Sequence, residues 1–224
     1  MTSSARPTPR PAPAAPTPSG TLAAYTLTAN VENGRILSTT AANLSGNSGN
    51  NVLYAGAGNN VLNGSSGTDT VSYAYGLAGT TGVTVNLAAS TAQATGGSGS
   101  DTLLSIENLI GSAYADRLTG NSGANSLSGA AGNDTLDGGT GIDTMAGGDG
   151  SDFYYVRDTG DVVTESNATA STGGTDTVYS NLAAYTLGSN IENGRILAAG
   201  AANLSRQHAQ QPPLRRRRQQ RAQR

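Results

Sequence analysis

The sequence of 224 residues lacks several residue types on which common enzyme chemistries depend. Cysteine is absent, which excludes disulfides, zinc fingers, thiol nucleophiles and iron–sulfur clusters. Lysine is also absent, so a phosphate-binding P-loop and Schiff-base chemistry are excluded. The single histidine excludes a HExxH metalloprotease helix, and no GxSxG motif occurs. We therefore expect that the chain is not an enzyme.

Charged and aromatic residues are scarce, at 12% and 4% of the chain, so we do not expect a conventional large hydrophobic core. No apolar run is long enough to span a membrane. The N-terminal region lacks the apolar segment of a signal peptide, so we do not expect an ordinary signal peptide. The charge is unevenly distributed. Residues 21–205 hold all 15 acidic residues and four arginines, a net charge of −11, which argues against a nucleic-acid partner.

Glycine, by contrast, is abundant, with 31 residues, and it marks a nine-residue repeat. From Gly111 the chain divides into GSAYADRLT, GNSGANSLS, GAAGNDTLD, GGTGIDTMA and GGDGSDFYY. Position 6 of each unit is Asp or Asn, and position 8 is Leu, Met or Tyr. Further units occupy 46–72 and 96–104. A longer segment, LAAYTLTANVENGRIL at 22–37, returns as LAAYTLGSNIENGRIL at 182–197.

This repeat predicts a parallel β-roll. Positions 1–6 hold turn residues, and positions 7–9 form a short strand with one apolar residue facing inward. A single unit buries nothing, whereas stacked units bury a continuous apolar column. Two units make one coil, and coils stack about 4.8 Å apart. We predict an all-β fold, a parallel β-roll or β-solenoid over 21–205, with nonapeptide blocks at 46–72 and 96–155 and spacer coils at 21–45, 73–95 and 156–205.

Both ends of the chain are predicted to be disordered. Residues 1–20 are rich in proline and are typical of an extended linker. Residues 206–224 form a basic tail, which a charge argument alone would assign to nucleic acid or membrane. Our hypothesis is that this tail is an out-of-frame nonapeptide block, because permitted codons for it, shifted by one nucleotide, encode a close copy of 46–63. The nucleotide sequence of the gene tests this hypothesis.

Carboxylates recur at the spacing of one coil. Asp116, Asp134 and Asp152 are predicted to line one edge of the roll, and Asn125 and Asp143 the other. Carboxylates one coil apart repel each other by about 1 kcal/mol in water, and by more where solvent is excluded. Hard oxygen ligands and concentrated negative charge suit Ca²⁺ better than Mg²⁺, which requires a tighter octahedron. The pattern therefore predicts calcium sites at the turns.

A simpler explanation is that Asp is a common turn residue. This explanation does not account for several aspartates at one phase of a nonapeptide. It suffices for four others, which we expect to be solvated surface charges: Asp137, Asp149, Asp158 and Asp161.

The segment GGTGIDTMAGGDGSDFYY is similar to the repeats-in-toxin (RTX), hemolysin-type calcium-binding nonapeptide GGxGxDxUx, and the resemblance covers roughly 21–205. It implies Ca²⁺ bound between turns of neighbouring coils, by position-6 aspartates and turn carbonyls. The strongest pairs it implies are Asp116 with Asp134 and Asp134 with Asp152, while Asp143 faces the neutral Asn125. The implied ligands are Asp116, Asp134, Asp143, Asp152, Asp101, Asp69, Gly129, Gly132, Gly138, Gly139, Gly141, Gly147, Gly148 and Gly150.

Asn51 and Asn60 depart from the family pattern, so we expect the segment 46–63 to be structural, held together by side-chain amides.

The resemblance also implies a function: a metal-binding module of a secreted, extracellular protein that leaves the cell by type I secretion and folds when it meets extracellular Ca²⁺. Two alternatives remain open. One is a calcium-stiffened adhesin or surface-layer spacer, and the other is a C-terminal module left from a secreted protease or lipase. The expected partners are calcium ions, with no nucleic acid and no membrane span. A cell-surface or matrix partner is left unidentified.

Overall fold

The computed structural model describes residues 24–75, 77, 79–167 and 172–206 of the chain. The predicted linker at 1–20 lies outside these residues, and so does the predicted tail at 206–224 except for Arg206, which the structure places at the end of a strand instead of in a disordered tail. The described residues form strands and turns and contain no helix. No helix capable of crossing a bilayer is therefore found in this part of the chain.

Twenty short strands make up the described structure. They are β1 (Ala24–Thr26), β2 (Asn33–Arg35), β3 (Asn43–Ser45), β4 (Val52–Tyr54), β5 (Val61–Asn63), β6 (Thr70–Ser72), β7 (Thr84–Asn86), β8 (Gln93–Gly96), β9 (Gly99–Leu104), β10 (Asn108–Ile110), β11 (Arg117–Thr119), β12 (Ser126–Ala131), β13 (Thr135–Asp137), β14 (Thr144–Asp149), β15 (Phe153–Val156), β16 (Val162–Thr164), β17 (Thr177–Ser180), β18 (Ala184–Leu187), β19 (Asn193–Ile196) and β20 (Asn203–Arg206).

Successive strands of the nonapeptide blocks alternate between sheets, as two turn–strand units per coil require. One sheet contains seven strands in the order β16-β14-β12-β10-β6-β4-β2. The intervening strands form a six-stranded sheet, β19-β17-β15-β13-β11-β7, and a five-stranded sheet, β1-β3-β5-β9-β8. The last coil adds the pair β18-β20. The predicted all-β solenoid is confirmed.

The core is a column of single apolar residues, one from most of the strands. Leu127 of β12 pairs with Met145 of β14, and Leu136 of β13 pairs with Tyr154 of β15. All four side chains are fully or almost fully buried. Each strand has only three to six residues, so most of the buried apolar surface comes from a single inward side chain per strand. A shift in the register between coils would move these side chains out of the column.

One pairing departs from the parallel pattern. Strands β8 and β9 form an antiparallel hairpin, closed by Gly96 and Gly99 with φ of 67° and 89°. As a result β9 pairs with β5 across a gap of 41 residues, while β7 pairs with β11, so the sheet on this side divides into two. The glycines permit the hairpin because side-chain-bearing residues rarely adopt positive φ.

The duplicated segment folds in the same way at its two positions. Ala24 pairs with Asn43 in β1–β3, and Ala184 pairs with Asn203 in β18–β20. In the first copy Gly34 occupies an inward position, where a Cβ would lie 3.0 Å from Leu27 and from Leu44. Leucines of neighbouring coils thus fill the space that the glycine leaves.

Candidate metal centre

The turns that precede the strands need glycine for two separate reasons. The first is backbone conformation, since positions 2 and 4 adopt positive φ in the last three units of 111–155, where Ala130 is the one residue other than glycine at these positions. The predicted ligand glycines with this geometry are Gly132 (126°), Gly139 (92°), Gly141 (123°), Gly148 (105°) and Gly150 (131°).

The second reason applies to position 1 of the repeat. A Cβ on Gly129 would overlap the Asp134 Oδ2 atom and lie 2.8 Å from the Gly147 carbonyl oxygen of the next coil. A Cβ on Gly138 would overlap Asp143 Oδ2 in the same way, and one on Gly147 would overlap Asp152 Oδ2. At each of these glycines a carboxylate oxygen therefore occupies space that exists only because position 1 has no side chain, and at Gly129 a carbonyl oxygen of the next coil lies beside it.

The position-6 residues form a continuous ladder along each edge. Asp134 Oδ1 accepts a hydrogen bond from the Asp116 backbone N–H at 2.8 Å, and Asp152 Oδ1 accepts one from the Asp134 N–H at 2.7 Å. On the other edge Asp143 Oδ1 accepts from the Asn125 N–H at 2.8 Å. The structure thus places the predicted partners one coil apart.

The second oxygen of several of these aspartates has no donor. The Oδ2 atoms of Asp69, Asp134, Asp143 and Asp152 are buried and make no hydrogen bond. Burying an unpaired carboxylate oxygen is costly, and such groups in proteins are normally paired or bound to a metal. The arrangement of donorless oxygens beside turn carbonyls fits a hard cation.

Burial also shifts the acidity of these groups. Desolvation raises the pKa of Asp134 to about 7, with a further upward contribution from the charges of Asp116 and Asp152. Desolvation raises the pKa of Asp152 to about 6. The pKa values of Asp69 and Asp143 are raised for the same primary reason. In each case burial disfavours the ionised form of the carboxyl group.

Asp116 and Asp101 differ from these four aspartates because protein groups donate hydrogen bonds to their carboxylates. Asp116 accepts hydrogen bonds from the Val83 N–H at 2.6 Å and from both the N–H and the hydroxyl of Ser112 at 2.6 and 2.7 Å. Asp101 accepts from the Asn60 N–H at 2.8 Å and the Thr95 hydroxyl at 3.1 Å. Protein donors therefore already satisfy these two predicted ligands, and the donors lie partly in spacer segments that the nonapeptide pattern does not cover.

Where position 6 is asparagine, an amide nitrogen stands in place of the second carboxylate oxygen and donates to nearby carbonyl groups. Asn60 Nδ2 donates to the Gly56 and Gly58 carbonyls at 3.0 Å, and Asn51 Nδ2 donates to the Val31 carbonyl at 3.1 Å. These contacts agree with the expectation that amides hold this block together.

Two aspartates expected on the surface are buried, so that prediction is wrong for both. Asp161 is 8% exposed and accepts a hydrogen bond from the Asp143 N–H at 3.1 Å, which makes it the next member of that ladder. Its position one coil after Asp143 is the signal that could have identified it. Asp137 is 7% exposed and forms a two-point ion pair with Arg157, at 2.6 and 2.7 Å. Nothing in the repeat predicts this Arg157 contact.

Sequence reasoning also missed two acidic residues beside Asp152. Glu165 and Asp176 are buried and lie close to it, with one carboxylate oxygen of each of the three within 4.8 Å of the others. Asp176 follows Asp152 by 24 residues instead of the usual 18, which hid it from the nonapeptide register.

Comparison with known proteins bears on these sites. A family model described as the RTX calcium-binding nonapeptide repeat matches residues 41–72, 106–136 and 128–163. A search of curated proteins gave no match. The matched segments contain the ladders around Asp69, Asp134, Asp143 and Asp152, and the turns that hold them are those of the β-roll. Over these segments the chain therefore matches the RTX calcium-binding nonapeptide repeat.

Proposed function

We propose that the chain is the calcium-dependent structural module of a secreted RTX-type protein, and that Ca²⁺ drives its folding. The observation that carries the proposal is the set of four buried Oδ2 atoms with no hydrogen-bond donor. The proposed role is structural and not catalytic.

The proposed ligands act in pairs along each edge. Asp134 Oδ2 and the Gly147 carbonyl oxygen come from successive coils, so a cation between them joins the two coils. Asp143, Asp152 and Asp69 each have a further buried Oδ2 atom without a donor that a cation could bind. Each ion would also offset repulsion between stacked carboxylates. Because an unfolded chain has no preformed site, the binding free energy contributes directly to folding.

The proposed setting follows from affinity. Extracellular calcium modules bind with Kd of about 10⁻⁴–10⁻³ M, which matches calcium outside cells and not inside them. With a net charge of −11 over 21–205, the ion-free chain repels itself and favours the unfolded state in which it would be exported. The adhesin or surface-layer spacer and the protease- or lipase-derived module remain predictions, since they share this calcium chemistry.

The test is far-UV circular dichroism of the full chain in chelator, titrated with Ca²⁺ and, as a control, with Mg²⁺. We expect a transition from coil to β-structure with Ca²⁺ and none with Mg²⁺ at the same concentration. A full β-spectrum already present in chelator would contradict calcium-driven folding. Absence of any bound Ca²⁺ by equilibrium dialysis would contradict the calcium sites themselves.

A further inference from the structure

Three carboxylates meet where the nonapeptide blocks end. Asp152 is position 6 of the last unit, Glu165 directly follows β16, and Asp176 directly precedes β17. Their exposed fractions are 0%, 7% and 1%. One carboxylate oxygen from each lies within 4.8 Å of the other two, so two successive coils contribute to one buried cluster.

An unpartnered oxygen points into this cluster. Asp152 Oδ1 accepts the Asp134 N–H, but Asp152 Oδ2 has no partner and is fully buried. Both Asp152 Oδ2 and the Tyr154 hydroxyl lie where a Cβ on Gly147 would be, and that hydroxyl donates to Glu165 Oε1. The donorless oxygen therefore faces the Glu165 side chain.

The cluster differs from a turn site of the repeat. Glu165 stands one coil after Gly147, at a position where the repeats have glycine, so a carboxylate enters a space that is otherwise empty of side chains. The turn leading to Asp176 is six residues longer than in the repeats, at 24 residues against 18.

Neutral groups donate hydrogen bonds to the three carboxylates: the backbone N–H groups of Asp134, Asp152 and Gly148, and the Tyr154 hydroxyl. Desolvation raises the pKa of Glu165 to about 8, with further increases from the charges of Asp176 and Asp152. Desolvation likewise raises the pKa of Asp176 to about 7, and the carboxylates of Asp152 and Glu192 add to this increase.

We propose that Asp152, Glu165 and Asp176 bind one Ca²⁺ ion in a three-carboxylate site at the C-terminal end of the nonapeptide ladder. The donors are all oxygen atoms, which suits a hard cation, and affinity for Ca²⁺ rises with the number of charged ligands. This site is therefore the tightest in the chain and fills first. The inference shares Asp152 with the proposed turn sites, but it does not depend on calcium-driven folding.

The test counts Ca²⁺ bound to the full chain by equilibrium dialysis across a range of free Ca²⁺ concentrations. We expect Glu165→Gln and Asp176→Asn each to lose one ion, the tightest, and the double variant to lose one ion and not two. Glu32→Gln is the matched control, because Glu32 is exposed and lies outside the cluster. We expect the control to bind as many ions as the unmodified chain.

A second readout uses Tb³⁺ as the probe, excited through tyrosine. The Tyr154 hydroxyl bonds to Glu165, so a Tb³⁺ ion in the site should emit strongly at the first equivalent added and lose this emission in Glu165→Gln. Glu165→Asp keeps the charge with a shorter side chain, and it should retain the ion with weaker affinity.

Unchanged ion number and affinity in Glu165→Gln would overturn the inference. If Asp134→Asn then still lost an ion, the turn sites and the proposed function would stand without the three-carboxylate site. If the unmodified chain bound no Ca²⁺, the three-carboxylate site and the proposed function would both be wrong.

Discussion

At position 6 of the repeat, aspartate and asparagine make different contacts through both side-chain atoms. Asp134 Oδ1 accepts the Asp116 N–H of the preceding coil, whereas Asn125 Oδ1 accepts the Asn121 N–H of its own turn at 2.8 Å. Asn125 Nδ2 donates to the Glu107 carbonyl at 2.7 Å, whereas Asp134 Oδ2 has nothing to accept. The amide of Asn125 thus finds its partners within the protein, whereas Asp134 keeps one oxygen for the proposed cation. On this proposal, the choice between the two residues determines whether a coil requires calcium.

Asp134→Asn tests this difference directly. In chelator we expect the variant to be more stable than the unmodified chain by about 1–3 kcal/mol, because a buried unpaired carboxylate is removed. In Ca²⁺ we expect it to be less stable, since a ligand is lost. Urea denaturation in both conditions measures the change, with Glu32→Gln as the exposed control. Destabilisation by the same amount in both conditions would contradict the expectation.

Gly129→Ala tests the space around the proposed ligands. The new Cβ would overlap Asp134 Oδ2, so we expect a loss of about 2–4 kcal/mol in Ca²⁺. Gly123→Ala is the control, since its nearest neighbour is the Asn121 side chain at 3.3 Å. Thermal denaturation of both variants gives the comparison, and equal midpoints would show that the space at position 1 has no special importance.

Calcium should remove the pH dependence of stability that these carboxylates cause near neutral pH. In chelator the folded-state pKa values of Asp134 and Asp152, about 7 and 6, exceed the unfolded value near 4. The folded state then binds more protons, so stability is greatest in acid and falls as pH rises through the folded-state pKa values. With saturating Ca²⁺ the folded carboxylates stay ionised and neither state binds protons above pH 5, so stability should be nearly constant between pH 5 and pH 8. Melting temperatures at these two pH values in each condition test the difference, and an equal fall in both conditions would contradict it.

At the scale of the strand, each element contributes little beyond one inward side chain. Leu136, in the middle of β13, is fully buried between Leu118 of β11 and Tyr154 of β15. We expect Leu136→Ala to cost about 2–5 kcal/mol, the usual range for a buried leucine. Leu104→Ala, at 38% exposure, should cost much less. Chemical denaturation in Ca²⁺ measures both, and equal losses would show that the column is not the main core.

The sequence predicted the strands of the nonapeptide blocks well, because glycine, aspartate and leucine recur there at fixed phase. It did not predict the β8–β9 hairpin, since that pairing depends on two glycines within an irregular segment. The contact between Asp137 and Arg157 was equally hidden, because it joins residues 20 apart, outside the period. Glu165 was missed because its partner Asp176 lies beyond an insertion. The strands and turns that follow the nine-residue period could be predicted from the sequence of one unit. The hairpin, the ion pair and the Glu165 cluster depend on which coils become neighbours.

At the scale of the whole chain, each coil is bound chiefly to the coils before and after it. Backbone N–H groups of one coil donate to the aspartates of the next, from Asp116 through Asp134 and Asp152 to Asp176. Stability in such a stack is a sum of local interfaces. A ligand shared by two coils therefore couples neighbouring binding events along each edge.

These hydrogen bonds between coils also determine how the molecule would respond to tension. They run along the direction in which the strands stack, so a pull in that direction loads a few bonds at a time. Each released coil of 18 residues converts a rise of about 4.8 Å into about 60 Å of extended chain. The stack would thus lengthen in discrete steps, each releasing the ions held at that interface, and external calcium would set the force at which it yields.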